Sequence, residues 1–172
     1  MKKLLLIPVL LTMSFCDTAN PNKSNMTTII ASECPSDGKC TIQLLKNKGM
    51  DKKIDGIGKL YYQLVDNDNK SVIIYEYNRN TEEGLEDGQH KEEIVFEVDN
   101  GVFDLKLKDV QLENVKMLFG RHCFCRGQAG YFAVGKGTLD LSQKENYIAF
   151  DLDFKVDEVP QLYTKVKATL AK

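Results

Sequence analysis

The densest concentration of reactive side chains in this 172-residue sequence is "GRHCFCRGQAGYF", residues 120–132. It holds one of two histidines, two of five cysteines and two arginines. Thiolates with imidazole suit zinc or copper(I), a thiol beside cations suits redox exchange, and paired cysteines suit a covalent staple. Spacing separates these chemistries. On an extended chain Cys123 and Cys125 share a face while His122 points to the other, so a clamp made of all three is awkward. Same-face neighbours stand about 6.6–7 Å apart along a strand, whereas disulfide Cβ atoms want about 3.5–4.5 Å. A Cys123–Cys125 bond therefore demands a sharp local bend, and "CPSDGKC" supplies the expected partners, Cys34 and Cys40. Four cysteines allow three connectivities. Cross-pairing would staple the first strand region to a later strand, each closure contributing about 2–4 kcal/mol. Two alternatives use the same residues. One is a zinc or copper(I) site of Cys34, Cys40, Cys123 and Cys125, although C-x5-C with C-x-C departs from the C-x2-4-C spacing of common structural zinc sites. The other is a redox C-x-C with Arg121 and Arg126 nearby.

Other stretches carry weaker chemistry. His90 lies in "NTEEGLEDGQHKEE", residues 80–93, whose carboxylates read as a solvated loop rather than a calcium site. "DNDNKS" spaces Asp66 and Asp68 like the first ligands of an EF-hand loop, but Lys70 falls on the third ligand position. A hairpin turn is the expected reading there. "DGIGKL" contains Gly-x-Gly without the strand–helix context of a phosphate cradle. No Gly-x-Ser-x-Gly elbow or His-Glu-x-x-His helix occurs, so no catalytic residue is assigned and an enzyme is not expected. No cofactor is expected either.

The elements that position these residues announce themselves by alternation. "YIAFDLDFKV" puts Ile148, Phe150, Leu152, Phe154 and Val156 on one face, and "VFDLKLKD" does the same with Phe103, Leu105 and Leu107. "EIVFEV" adds Ile94, Phe96 and Val98. These are half-buried antiparallel strands. "KLYYQLV" and "SVIIYEY" around "DNDNK" predict a β-hairpin. With "CTIQLL", "VKMLFGRHCF", "YFAV" and "GTLDL" the total is eight or nine strands, an all-β sandwich or small barrel. After "DEVP", Leu162, Val166 and Leu170 recur every four residues and predict a short C-terminal amphipathic helix. "RGQAGYF" predicts a turn before a restarting strand. Residues 28–172 therefore form one domain. Interspersed charge, a net charge of -2 and no basic aromatic stripe disfavour nucleic acid as a partner.

"MKKLLLIPVLLTMSFC" has two lysines, then an apolar run too short to span a bilayer, which is the pattern of an export signal over residues 1–16. "DTANPNKSNMTT" follows as a polar tether, assigned to residues 17–27. The signal and its Asn/Thr-rich linker resemble those of lipoproteins from Bacteroidota-type bacteria, with Phe15 standing where Gly, Ala or Ser is usual. The resemblance covers about the first tenth of the chain. It implies a lipidated Cys16, a membrane anchor and a place in the bacterial cell envelope, against the alternative of simple periplasmic export or secretion. Setting Cys16 aside leaves the even set of four suited to an oxidising compartment. The expected role is non-catalytic binding or scaffolding, with envelope proteins or glycans as partners. The alternatives are a thiol-redox or metal-binding protein and a small-molecule or glycan binder.

Overall fold

The computed structural model describes residues 28–30, 32–81, 84–85 and 87–172. The expected signal and tether, with Cys16, lie outside the described residues. Among the described residues ten strands run in chain order: β1 (Thr28–Ile30), β2 (Gly38–Ile54), β3 (Leu60–Arg79), β4 (His90–Asp99), β5 (Asp104–Lys108), β6 (Leu118–Cys123), β7 (Gly130–Ala133), β8 (Lys136–Gln143), β9 (Tyr147–Lys155) and β10 (Lys165–Ala171). A 3-10 helix, Asp109–Val115, bridges β5 and β6. The protein is all-β.

Two five-stranded antiparallel sheets pack face to face, β1-β10-β9-β8-β5 against β2-β3-β4-β6-β7. Alternation explains why. Ile148, Phe150, Leu152 and Phe154 of β9 meet Ile94, Phe96 and Phe119 of the other sheet in one continuous core. Phe96 stacks edge-on to Phe150 at 5.4 Å, and Phe119 lies 5.9 Å from Phe154.

The second sheet also closes on itself. β2 and β3 are far longer than the sandwich needs, and their distal half folds over the sheet's outer face until Leu60 pairs with Tyr131 of β7. This small barrel encloses a second core of Met50, Val72, Val95 and Leu118. β4 is consequently buried on both faces from Glu92 to Val98, rather than wet on one face as its alternation predicts.

Three further expectations are corrected. "DNDNK" does not turn the chain; it is an irregularity inside the single strand β3. Lys46 pairs with Ser71 while Lys48 pairs with Asp66, so the extra residues bulge out and bend the ribbon. The reversal falls instead at "DGIG", where Asp55 Oδ1 accepts the amides of Ile57 at 2.9 Å and Lys59 at 2.7 Å. The C-terminal helix is absent, because residues 165–171 are the strand β10, with Val166, Ala168 and Leu170 buried beside β9. His90 belongs to β4, not to the preceding loop.

Candidate functional site

The "RHCFC" stretch lies where β4 and β6 run out. Register places His90 opposite Cys123, Lys91 opposite His122, Glu92 opposite Arg121 and Glu93 opposite Gly120. The predicted alternation holds along β6: Arg121 and Cys123 lie on the sandwich side, His122 on the barrel side. β6 ends at Cys123 and the chain bends at Phe124, which brings the Cys125 Cα within 5.2 Å of that of Cys123. That bend supplies what straight-strand geometry forbids, and the two cysteines pair with each other. Cys34 pairs with Cys40, their Cα atoms 5.7 Å apart. Cross-pairing is corrected, and the sheet gives the reason. Cys40 pairs with Tyr77, Tyr77 with Glu92 and Glu92 with Arg121, so three inter-strand steps separate β2 from β6. At about 4.8 Å per step that is about 14 Å, far beyond the roughly 4.4–6.8 Å between disulfide Cα atoms. The four thiols therefore do not converge on one metal. Among the described residues no three His, Cys, Asp or Glu side chains are grouped to hold a metal ion.

Two buried carboxylates stand behind the histidines. Glu92 is fully enclosed; its Oε1 lies 3.0 Å from His90 Nε2 and 3.6 Å from Arg121 Nε, and its Oε2 accepts the Leu162 amide at 2.8 Å. Glu93 points into the barrel. It accepts the Tyr131 hydroxyl at 2.5 Å and the Lys91 ammonium at 3.0 Å, with His122 Nε2 3.8 Å away. Burial alone would raise the Glu93 carboxyl, but His122, Tyr131 and Lys91 together outweigh it and hold the group down at about 2. His122 acts there by proximity, since 3.8 Å exceeds hydrogen-bond length. The same surroundings act oppositely on the phenols. Burial, then the Glu93 charge, pushes Tyr62 up to about 12, and burial with the Glu93 bond lifts Tyr131 well above its ordinary range. Tyr131 packs edge-on to both Tyr62 and His122, with centroids 5.2 and 5.3 Å away. Gly120 makes this crossing feasible: a Cβ there would meet Tyr131 at 2.7 Å and Glu93 at 2.8 Å.

In front of these groups opens a cleft of about 660 Å³, lined among others by Asn78, Arg79, Thr81, Gln89, His90 and Phe124. Its cations already have acidic partners. Arg79 Nε bonds Asp37 at 3.0 Å, Lys91 bridges Glu76 and Glu93, and His90 faces Glu92. What stays available is a set of amides, a hydroxyl, the Asp87 carboxylate and the Phe124 ring, 82% exposed at the rim. On the far side of the bend, the Arg121 guanidinium spans Gln128 Oε1 at 2.7 Å and Cys125 Sγ at 3.4 Å, tying the "RGQAGYF" turn to β6.

The structure thus brings His90, His122, Cys123 and Cys125 together at one end of the fold, with Cys34 and Cys40 at the same end but three strands away at the start of β2. Sequence reasoning passed over Glu92, Glu93 and Phe124. Glu92 was discoverable, since it shares a face with Ile94, Phe96 and Val98, where an acid signals burial with a partner. Comparison with known protein families, with curated proteins and with solved structures finds no match to this chain.

Proposed function

We propose that the protein is a membrane-tethered envelope protein that acts by binding, and that the cleft beside Phe124 takes a neutral polar ligand of saccharide type. One observation carries this reading. With Arg79 and Lys91 already paired to acids, the free lining is amide, hydroxyl, the Asp87 carboxylate and an aromatic ring, the set that hydrogen-bonds sugar hydroxyls and stacks on a sugar's apolar face. A site built to attract anions would leave Arg79 or Lys91 unpaired. Carboxylate-backed imidazoles also orient general bases and metal ligands. Here, however, both acids are spent on several structural partners each, which favours a fixed wall over a reacting group.

The test is a glycan array followed by calorimetric titration of the best ligand. Phe124→Ala should weaken binding at least about tenfold, the loss of roughly 1.4 kcal/mol. Binding unaffected by that change, or an array without a single ligand, would sink the reading. The tether rests on the signal resemblance and is tested apart from the cleft. Labelled fatty acid should enter the unaltered protein and not Cys16→Ala, and an unlabelled native protein would refute the anchor.

A further inference from the structure

The apex of the β2–β3 hairpin presents Ile54, 71% exposed, and Ile57, 83% exposed. They do not belong to a loose loop. Asp55 organises the apex by accepting two amides on its carboxylate, donating its own amide to the Lys59 carbonyl at 2.8 Å and accepting Gly58 N–H at 3.1 Å. The isoleucines are therefore held outward by a built turn. Leu64 and Val65 are also exposed but face opposite sides of β3 further down the arm, so the apolar apex is Ile54 together with Ile57. Such clustering, unlike scattered apolar exposure, marks a contact surface.

Charge identifies what the surface meets. Lys52, Lys53 and Lys59 flank the apex against Asp51 and Asp55, giving 3 − 2 = +1 over residues 51–59 of a chain whose formal net charge is -2; Lys53 is paired to Asp51 at 3.3 Å, which leaves Lys52 and Lys59 to face a surface. We propose that the apex docks on an anionic lipid surface, Ile54 and Ile57 entering the interface while the lysines meet the headgroups. Apolar residues framed by basic ones are the composition that binds such interfaces, and each lysine near the surface strengthens the contact about fivefold. The apex is separate from the cleft and needs no acyl chain. If Cys16 is lipidated, eleven intervening residues at about 3.5 Å each keep the domain within about 40 Å of the bilayer.

The sequence contains no tryptophan, so Ile57→Trp introduces a single fluorophore. Val110→Trp, on the 3-10 helix at a site 74% exposed, serves as the control. Each full-length protein, purified from membranes, is reconstituted with vesicles of phosphatidylglycerol and phosphatidylcholine carrying brominated acyl chains. Ile57→Trp should shift its emission to the blue and be quenched at least about twofold. Val110→Trp should show neither effect, and adding Lys52→Glu and Lys59→Glu to Ile57→Trp should weaken the contact about tenfold or more. Emission unchanged by vesicles overturns the proposal. So does equal quenching at both positions, which would report only proximity, or a concentration-dependent blue shift without lipid, which would assign the apex to a second copy of the chain. Because fatty-acid labelling is read separately, failure here is distinguishable from failure of the anchor.

Discussion

Gly137→Ala should destabilise the protein by about 4 kcal/mol, enough to leave much of it unfolded at ordinary temperature. Gly137 stands second in the pairing of β8 with β9, opposite Phe154, at φ 133°, a conformation nearly confined to glycine. An added Cβ would also overlap the Asp153 carbonyl oxygen and stand 2.7 Å from the Phe154 Cα. Both obstacles are backbone, so no rotamer relieves them. The strand cannot retreat either, since the Gly137 amide donates to Asp109 Oδ1 at 3.0 Å and Phe154 is locked between Phe119 and Tyr163. Gly56→Ala is the matched control, because a Cβ there meets nothing within 4 Å. Urea titrations of both variants read the difference. Equal midpoints for Gly137→Ala and the unaltered protein would refute this account of the β8–β9 approach.

The second large effect is on acid stability. Glu93 ionises at about 2 in the folded barrel against an ordinary 4.5. Its folded value is the lower one, so the unfolded chain takes up the proton first as pH falls. The stabilisation is fully present above about 4.5 and is lost progressively as pH falls to about 2. A shift of that size is worth about 3 kcal/mol. Glu93→Gln should therefore lose stability at pH 7 and flatten the stability profile between those limits. An unaltered acid limb in the variant would mean that other carboxylates carry the transition. At the alkaline end the sign reverses. Tyr62 ionises near 12 when folded, so its contribution holds below 10 and disappears between 10 and 12.

Side-chain alternation made the sandwich legible. The positions spaced two apart in "YIAFDLDF" are the buried ones of β9, and the turn after Cys125 lies where its glycines predict. The C-terminal strand was misread because a spacing of four residues is also twice two. Leu162, Val166 and Leu170 fit a helical face and a strand face equally well, and only Ala168, too small to register as apolar, separates them. The hairpin was misplaced because Asp, Asn and Lys favour a turn and a bulge alike. What decides between them is the partner strand, where Asn47 adopts φ 56° to absorb the mismatch. At the site, alternation correctly parted His122 from Cys123. The Cys123–Cys125 pairing was hidden because local spacing does not reveal where a strand stops. The acid-backed wall was hidden more deeply, since Glu93 is buried only because a hairpin some thirty residues upstream folds over it.

That fold-over is sealed at one rung. Between β3 and β7 only Leu60 and Tyr131 pair, whereas β3 holds β4 over nine successive rungs. The barrel thus has a strong spine and a narrow clasp. Thermal fluctuation releases the clasp long before it disturbs the sandwich, because local openings follow the lines of fewest bonds. Each release parts Tyr62 from Tyr131 and admits water to the Glu93 carboxylate bonded to Tyr131. The small barrel is in this sense a clothes-peg, with its jaws at the tyrosines and its spring in the bulged ribbon of β3.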